Sequence, residues 1–549
     1  MNIFNFLKQQ LTTIIEKLIE GGELKPTARD YLATITIEPC KNENHGDIAC
    51  NAALVLASSQ QQPPRDIAKI LAPHFNQISA VIKCDIAGPG FINLTLAPSL
   101  WQNVLFTINE DVGKFSDITI GHRQKVNIEY LSTNPTGPLH IGHLRIAVVG
   151  NILANILQRT GFKVTQEYYV NNAGRQIDVL AESVYHRYLE FIGNNPGPIS
   201  DEMYPGDYLI PLAKQLAADN KELSTMRKDQ AIAYIKPQAV EAMMALITND
   251  LDRIAIKHDV FRYELDLHNE QLIEQAIDIL KQQNLIESST LAPPKGKLTK
   301  DWQAREQLVF KSTAFGDDED RPLTKSDGSY TYFAADLGYL VDKINRGYNM
   351  LIMVLGADHI GYSKRIEAAL EAISGGKVKI KFLFCNIVKL LKGGKLFKMS
   401  KRAGNLITVN DILDFVDQDA LRMTMVSRKH DMNMNFDIDK VNDISSDNPV
   451  FYIQYAHARC HSIMQNIREQ LPKAATLATT NSLDLVGNIN NQEELRLVKL
   501  MAKWPRMLES AATTMEPHRI MYYLNDLASE FHSLWQLGRE HEHLRFIRA

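Results

Sequence analysis

The sequence has few cysteines, and none of them stands in a pair. Its five, at positions 40, 50, 84, 385 and 460, are scattered without any Cys-x-x-Cys spacing. This spacing supports neither a disulfide framework nor a cysteine zinc site, so we expect no structural zinc and no protein-held metal site. Scattered, unpaired cysteines are typical of a reducing compartment, which predicts a cytoplasmic protein.

Long apolar runs and a strong charge of one sign are also absent. The first 19 residues form an amphipathic pattern that includes Lys8 and Glu16, unlike the apolar core of a secretion signal. No run of about 18 uncharged apolar residues occurs, so we expect no membrane span. With 60 Lys and Arg against 64 Asp and Glu, the net charge is −4. Any surface that binds nucleic acid must therefore be local.

The 549 residues are enough for roughly three or four domains. Residues 1–114 alternate between helical and strand patterns, and two predicted strands, 84–87 and 91–96, flank the turn Gly88-Pro89-Gly90. We therefore predict an N-terminal α+β domain over 1–114. Residues 411–549 show helical patterns almost throughout, which predicts a C-terminal all-helical domain.

Residues 115–410 carry the pattern of a nucleotide-binding α/β fold. A buried strand at 126–131 is followed by a turn-rich loop, a helix at 141–160 and a second strand at 163–170. This order is the βαβ unit of a Rossmann-type fold. A polar, mainly helical stretch over about 193–301 predicts an insertion. We expect the sheet to resume near Leu308, with strands at 350–355 and 382–388.

Two histidines at the start of the 141–160 helix predict the first half of an ATP site. His140 and His143 are three residues apart and share a helical face. They fall in the first turn, where unpaired backbone N–H groups and the helix dipole favour anions. Gly142 leaves room for an adenine ring against the backbone. Metal ligation and an ordinary surface role are alternatives, but the preceding strand and the loop containing Gly137 favour the nucleotide.

A basic loop predicts the second half of the site. The segment Lys398-Met399-Ser400-Lys401 is bordered by Gly393-Gly394 and Gly404, which predict a mobile loop. Lys398 and Lys401 would close on the β- and γ-phosphates and stabilise the charge that develops on pyrophosphate, without covalent chemistry from the protein. The lysines alone would suit a solvated loop, whereas their pairing with the histidine element in one chain favours ATP binding.

These two elements resemble the signature sequences of class I aminoacyl-tRNA synthetases. Further segments narrow the resemblance to the bacterial arginyl-tRNA synthetases over nearly the whole chain: 132–139 (STNPTGPL), 169–176 (YVNNAGRQ), 332–336 (YFAAD), 356–359 (GADH), 419–422 (DALR) and 454–459 (QYAHAR). Residues 46–49 (GDIA) and 88–93 (GPGFIN) are similar to that family's extra N-terminal domain. The resemblance implies a Rossmann-type class I catalytic core over 115–410, an N-terminal domain that binds the tRNA elbow and a C-terminal anticodon-binding bundle.

The resemblance also implies the reaction. The substrates would be L-arginine, ATP and tRNA-Arg, with arginyl-adenylate as the intermediate, Mg²⁺ entering with ATP, and tRNA needed for activation. A guanidinium group requires carboxylates in fork geometry and a flat polar or aromatic surface. By resemblance, the arginine side chain would be held by Glu264, Tyr332 and Asp336, with Asp358 as a further acidic candidate. The α-amino and carboxylate groups would be held by Ser132, Asn134 and His140, with Glu129 nearby.

For the tRNA, Tyr455 and Arg459 place an aromatic ring and a cation one helical turn apart. Single-stranded RNA is read largely by stacking and by hydrogen bonds to base edges, so the pair suits RNA contact. A helix-packing face is an equally good interpretation. We expect the chain to act as a monomer.

The chain departs from the family pattern in two places. Many members carry a degraded lysine motif, whereas both Lys398 and Lys401 are present here, so a compensating lysine at 392 or 395 is less needed. Family chains usually continue past the position of Ala549, so we expect a C-terminus shortened relative to theirs.

Three other functions fit part of the pattern. A different class I synthetase is one, although a cysteinyl enzyme would need zinc ligands that the sequence lacks. A non-catalytic tRNA-binding protein with a decayed site is another, opposed by the intact histidine and lysine elements. A nucleotidyltransferase acting on small molecules would share the histidine element but would not need the helical C-terminal domain.

Overall fold

The structure, a computed structural model, describes residues 2–27, 32–40, 42–116, 118–290, 306–325, 327–397, 407–472 and 486–547. They fall into two units. One unit comprises Met1–Ile118, Tyr452–Thr513 and Tyr522–Ala549, and the other comprises Thr119–Phe451 and Thr514–Met521. The predicted lysine element, Lys398 to Lys401, lies outside the described residues.

The N-terminal part of the first unit is an antiparallel sheet covered by helices, which confirms the predicted α+β fold. Its four strands lie side by side in the order Ile37–Pro39, Ile48–Cys50, Phe91–Leu96 and Val81–Ala87. The helix at its start buries a leucine and isoleucine face that includes Leu7 and Leu11, four residues apart. The elements in chain order are α1 Ile3–Glu20, β1 Ile37–Pro39, β2 Ile48–Cys50, α2 Ala52–Gln60, α3 Pro64–Phe75, β3 Val81–Ala87, β4 Phe91–Leu96, α4 Pro98–Glu110 and α5 Val112–Phe115.

The second unit contains the predicted nucleotide fold. Its elements are β5 Lys125–Tyr130, α6 Ile141–Arg159, β6 Lys163–Val170, α7 Arg175–Phe191, α8 Ile210–Asp219, α9 Lys228–Arg253, β7 Val260–Tyr263, α10 Glu264–Asn269, α11 Leu272–Gln282, β8 Ile286–Thr290, β9 Glu306–Phe310, β10 Arg321–Pro322, α12 Tyr332–Asn345, β11 Met350–Gly356, α13 Ile360–Ser374, β12 Lys379–Cys385, β13 Val388–Lys392, β14 Lys395–Leu396, α14 Val409–Leu413, α15 Gln418–Met425, β15 Met434–Asp437 and α16 Ile438–Val441.

Five parallel strands form the central sheet in the order β12-β11-β5-β6-β7. From β5 the chain runs outward to β6 and β7, and it then returns to the other side of β5 with β11 and β12. The strand order therefore reverses between β5 and β11. In open α/β sheets, ligands bind outside the carboxyl ends of the strands at such a reversal. The loop that carries His140 leaves β5 at this point.

Helix α6 packs directly on the sheet. A Cβ atom on Gly150 would lie 2.3 Å from Cγ of Tyr130, so only glycine allows this close approach to β5. By length and composition α6 is also apolar enough to cross a membrane, the one such helix in the described parts of the chain. Most of its apolar window is buried against the protein, which is the environment of a core helix.

The predicted limits of the helical insertion are wrong. Residues 260–263 form β7, which pairs in parallel with β6 in the central sheet, so the core resumes well before 301. Leu308, where the sheet was expected to resume, lies instead in β9 of a separate antiparallel sheet of order β10-β9-β8. A strand of four residues is too short for periodicity to separate it from its helical neighbours.

The predicted start of the C-terminal domain at 411 is also wrong. Residues 411–451 belong to the second unit, and within them β15 pairs in parallel with β13. In the same segment, the Arg422 guanidinium donates to the backbone oxygen of Ile254 (2.7 Å) and to Oδ1 of Asn151 (2.8 Å). The helices that follow are α17 Pro449–Gln470, α18 Gln492–Ala502, α19 Trp504–Thr514 and α20 His518–Glu540.

Within the first unit, the C-terminal helices share a core with the N-terminal sheet. Leu495 and Val498 of α18 belong to the same buried apolar cluster as Leu7 of α1. At its edge, Lys499 Nζ lies 2.7 Å from Oδ1 of Asp47. The two domains that the sequence predicts at opposite ends of the chain therefore pack together.

Candidate active site

The histidine element forms the N-terminal cap of α6. The Gly142 backbone N–H donates to Nδ1 of His140 (3.1 Å), and the His140 backbone N–H approaches Nδ1 of His143 (3.4 Å). The two rings stack with centroids 3.6 Å apart. Because both Nδ1 atoms accept hydrogen bonds, each neutral ring carries its proton on Nε2, which is left as a donor.

Both imidazoles are held in the neutral form. Burial lowers the pKa of His140, and burial together with the neighbouring His140 ring lowers the pKa of His143 to about 3. At neutral pH the pair therefore offers N–H donors without a positive charge. This arrangement opposes the metal-ligand alternative, because one nitrogen of each ring already serves the helix cap. In the described chain no group of three or more His, Cys, Asp or Glu side chains is placed to hold a metal ion.

The loop that leads into α6 is fixed from two sides. The Tyr208 hydroxyl donates to the backbone oxygen of Thr136 (2.8 Å), and the buried Asp250 carboxylate accepts from the backbone N–H of Leu139 (3.1 Å). A Cβ atom on Gly137 would lie 3.0 Å from the Tyr208 hydroxyl. The glycine predicted for the ATP site is therefore also a packing requirement of the loop.

The chain that follows the lysine element returns to the histidine element. Thr408 forms an isolated β-bridge with His140, and the Val409 backbone N–H donates to the Leu139 oxygen (3.0 Å). On the other side, Gly393 and Gly394 have positive φ angles of 60° and 73° and form the tight turn between β13 and β14. The segment that follows the lysine element therefore contacts the histidine element, and a tight turn precedes it. Lys398, Met399, Ser400 and Lys401 themselves lie outside the described part of the chain.

Three carboxylates lie around the half-buried Tyr169, near the end of β5, directly after β7 and in the first turns of α12. The Tyr169 hydroxyl donates to Oε2 of Glu264 (3.0 Å). Burial and the negative charges of Glu264, Asp336 and Glu129 raise the pKa of Tyr169. The Tyr362 hydroxyl, which comes from α13, donates to the Asp336 carboxylate. Carboxylates from three elements therefore meet in one pocket.

Two of these carboxylates form no ion pair among the described residues. Burial raises the pKa of Glu264. Burial and the facing charges of Glu129 and Glu264 raise the pKa of Asp336 to about 7, against the hydrogen bond from Tyr362 and the more distant positive charge of Arg365. Among the described residues, neither Glu264 nor Asp336 forms an ion pair. The pocket therefore has an excess of negative charge, which a cationic ligand would relieve.

The third carboxylate is already paired. Lys343 Nζ lies 2.6 Å from Oε2 of Glu129. The Ser132 hydroxyl donates to Oε1 of Glu129 (2.9 Å) and accepts from the backbone N–H of Tyr169 (3.0 Å). Glu129 and Ser132 are thus held in place beside the pocket by residues of β6 and α12.

A layer of ion pairs beneath the pocket joins α12 to the sheet. The fully buried Glu167 carboxylate accepts from Tyr339 of α12, from Arg346 directly after that helix and from Asn127 of β5. Burial alone would raise its pKa, but Lys343 and Arg346 hold the pKa of Glu167 at about 2. These contacts fix the helix that carries Asp336.

Three other residues that were predicted to bind the arginine substrate lie outside the cluster of carboxylates. The Tyr332 side chain is 65% exposed at the start of α12, and a Cβ on Gly174 would lie 3.4 Å from its hydroxyl. Asn134 is exposed in the loop after β5. The Asp358 side chain is 81% exposed, and its carboxylate lies 3.5 Å from His359 rather than with the three carboxylates. The structure thus does not bring Asp358 into the pocket.

The sequence patterns did not predict the roles of three site residues, Tyr169, Lys343 and Asp250. Lys343 follows Asp336 by seven residues, so the two share one face of α12, and this spacing was the available signal. Tyr169 opens the family segment 169–176, but its role in the cluster, like that of Asp250, depends on which strands and helices become neighbours.

The predicted tRNA residues are in contact with each other. On α17, the Arg459 guanidinium lies 4.2 Å from the Tyr455 ring centroid and donates to the Tyr455 hydroxyl (2.9 Å). Arg459 also contacts His532 (3.0 Å) and lies 5.2 Å from the Trp535 ring. The helix-packing interpretation therefore holds for Arg459, while 41% of Tyr455 is exposed.

Family models match almost the entire chain. The model for the arginyl tRNA synthetase N terminal domain matches residues 5–96. The model for tRNA synthetases class I (R), catalytic domain, matches 107–465, and the model for the DALR anticodon binding domain matches 453–544.

Known proteins are similar over the same length. The arginine–tRNA ligases of Brucella anthropi and Brucella suis biovar 1 are each 46% identical to the chain over 562 residues, covering 100% of this chain and 94% of each relative. The structure of Thermus thermophilus arginyl-tRNA synthetase is similar in fold. Its TM-score is 0.69 at 19% identity, over 96% of this chain and 91% of that one.

Proposed function

The chain belongs to the arginyl-tRNA synthetase family of class I, and on that premise we propose that it activates L-arginine with ATP and transfers arginine to tRNA-Arg. The observation that carries the proposal is the cluster of Glu264, Asp336 and Glu129 around Tyr169, in which Glu264 and Asp336 form no ion pair among the described residues. A guanidinium group matches such a pocket because it is planar, always charged and able to bind carboxylates through paired N–H groups.

Each part of arginine then has a proposed partner. Glu264 and Asp336 bind the guanidinium group, and Tyr332 covers it from the start of α12. Ser132 and Asn134 bind the α-amino and carboxylate groups together with His140, and Glu129 lies next to them. The Glu129–Lys343 pair supports this division, because a carboxylate already neutralised by lysine attracts a second cation less strongly than its unpaired neighbours do.

The chemistry needs positioning and charge stabilisation, with no covalent bond to the protein. An oxygen of the arginine carboxylate attacks the α-phosphorus of ATP, and the bond from that phosphorus to the bridging oxygen breaks with loss of pyrophosphate. A ribose hydroxyl of the terminal adenosine of tRNA then attacks the arginyl carbonyl carbon. AMP leaves with the electron pair of the anhydride bond, and the hydroxyl proton passes to solvent or to AMP.

ATP would lie at the N-terminus of α6. The Nε2–H groups of His140 and His143 donate to phosphate oxygens there, at the end of the helix whose dipole favours anions. Gly137 and Gly142 keep the loop open for the nucleotide. We propose that Lys398 and Lys401, with Met399 and Ser400 between them, close over the phosphates.

We propose that Mg²⁺ enters bound to the phosphates of ATP. Since the described residues offer no cluster of three ligands, the phosphates and water would supply its coordination, as Mg²⁺ commonly requires. The ion would neutralise charge on the departing pyrophosphate. We also propose that the chain works as a monomer and that it is located in the cytoplasm. Its five free cysteines favour the second of these proposals, because unpaired cysteines are typical of a reducing compartment. Light scattering after gel filtration tests the monomer.

ATP–pyrophosphate exchange tests the function. The purified full chain is assayed with each standard amino acid, with and without bulk tRNA, and we expect exchange with arginine when tRNA is present. Exchange with another amino acid in place of arginine would assign the chain to a different class I specificity. No exchange with any amino acid in the presence of tRNA would contradict the proposal.

A further inference from the structure

An exposed pair of histidines on α17 lies apart from the pocket described above. His457 and His461 are four residues apart, with Nε2 atoms separated by 3.1 Å and ring centroids by 4.5 Å. Both side chains are exposed. When each ring carries its proton on Nδ1, both Nε2 lone pairs are free to bind one ion on the solvent side of the helix.

We propose that His457 and His461 form a binding site for a divalent transition-metal ion, with Zn²⁺ as the representative ligand and water in the remaining coordination positions. Zn–N bonds are about 2.0–2.1 Å long, so an ion bound equally to two nitrogens at this separation has an N–Zn–N angle of about 95–102°. This angle is close to tetrahedral. The two rings are therefore already placed for metal binding.

The helix supplies this preorganisation. Residues four apart lie on one face of an α-helix, and two histidines at this spacing are a known arrangement for zinc. Neutral imidazole is a good ligand for zinc, copper and nickel. Because the described chain has no group of three or more metal-ligating side chains, the protein supplies two ligands. The site is thus open and exchangeable, unlike a closed structural zinc site.

The thiol between the two histidines is not assigned to the site. Cys460 is exposed on α17, but the described residues contain no group of three metal-ligating side chains, so its sulfur is not placed with the two imidazoles. Cys460→Ser is therefore a control variant. A second control is His543→Ala, which changes an exposed histidine whose ring lies 5.8 Å from that of His541.

Isothermal titration of the untagged full chain with ZnCl₂ tests the site. We expect binding that His457→Ala and His461→Ala each weaken by at least about tenfold, whereas Cys460→Ser and His543→Ala leave it unchanged. Equal affinity in the wild-type chain and in His461→Ala would overturn the proposal, as would the same loss in either control. Thermal unfolding without metal verifies that the variants are folded.

Absorption spectra of the Co²⁺-loaded wild-type chain give a test that needs no variant. Ligation by imidazole and water gives weak d–d bands without a thiolate-to-metal charge-transfer band. A strong charge-transfer band would show that Cys460 is a ligand, and would overturn the assignment to two imidazoles.

Discussion

Lys343 and Glu129 form an ion pair with almost no exposure to solvent, and their charged atoms are 2.6 Å apart. The lysine comes from α12, the helix that also carries Asp336, and the glutamate is the penultimate residue of β5, shortly before the predicted ATP loop. One contact thus joins the proposed arginine pocket to the strand that precedes the histidine element. It also distinguishes Glu129, which has an ion-pair partner, from Glu264 and Asp336, which form no ion pair among the described residues.

Replacing Lys343 should be strongly destabilising. Lys343→Met leaves Glu129 buried and unpaired, so we expect the free energy of unfolding of the catalytic unit to fall by about 3–5 kcal/mol. Urea unfolding measures this loss. The control is Lys311→Met, which breaks an exposed pair with Glu287 at 3.2 Å and should cost no more than about 1 kcal/mol. Similar losses in both variants would show that burial of the Glu129 pair is not what stabilises the unit.

Removing the charge of Asp336 should affect arginine far more than ATP. In Asp336→Asn we expect the KM for arginine to rise about 30-fold or more, because a hydrogen-bonded charge pair with the guanidinium is worth about 2–5 kcal/mol. The KM for ATP should change less than about twofold. Exchange kinetics with tRNA present give both values. Asp358→Asn, at an exposed position, is the matched control, and equal losses for arginine and ATP would mean that Asp336 is not in the arginine pocket.

Arginine binding should release a proton near neutral pH. The pKa of Asp336 is raised from 3.8 to about 7 in the folded chain, so between these values the folded state binds a proton that the unfolded state has lost. This contribution to stability is fully present below about pH 4 and is lost as the pH rises through about 7. A guanidinium group favours the carboxylate, so arginine should bind more tightly as the pH rises from about 5.5 to about 7.5.

Calorimetry in two buffers with different ionisation enthalpies measures the released proton. At pH 6 we expect wild-type protein to release up to about one proton for each arginine bound, and Asp336→Asn to release less. Unchanged proton release in the variant would assign the titration to another group of the pocket, such as Glu264.

The sequence predicted those features that depend on local pattern. The βαβ unit followed from periodicity, and the histidine element from its position at a helix N-terminus. Tyr332 and Asp336 were found through family motifs. Lys343 and β7 were not, and the family segment that contains Tyr169 did not indicate its role, because the importance of all three depends on the strand order and on which faces pack together. An apolar strand of four residues and a charged residue on a buried helix face carry little signal until their neighbours are known.

His143 should have two separable roles, and two substitutions distinguish them. Asparagine can place its oxygen near the position of Nδ1 and keep the contact with the His140 backbone N–H, but it does not reach the position of Nε2. Glutamine can place its amide nitrogen near Nε2 and donate to phosphate, but it loses the cap contact. We expect His143→Asn to lower the rate of exchange by about 10²-fold, the effect of losing one donor to developing charge, with stability nearly unchanged. His143→Gln should keep more of the rate and lose about 1 kcal/mol of stability through the weaker cap. If the asparagine variant were the faster enzyme, the Nε2–H group would not be the catalytic donor, and the contribution of His143 would lie in its support of the helix terminus.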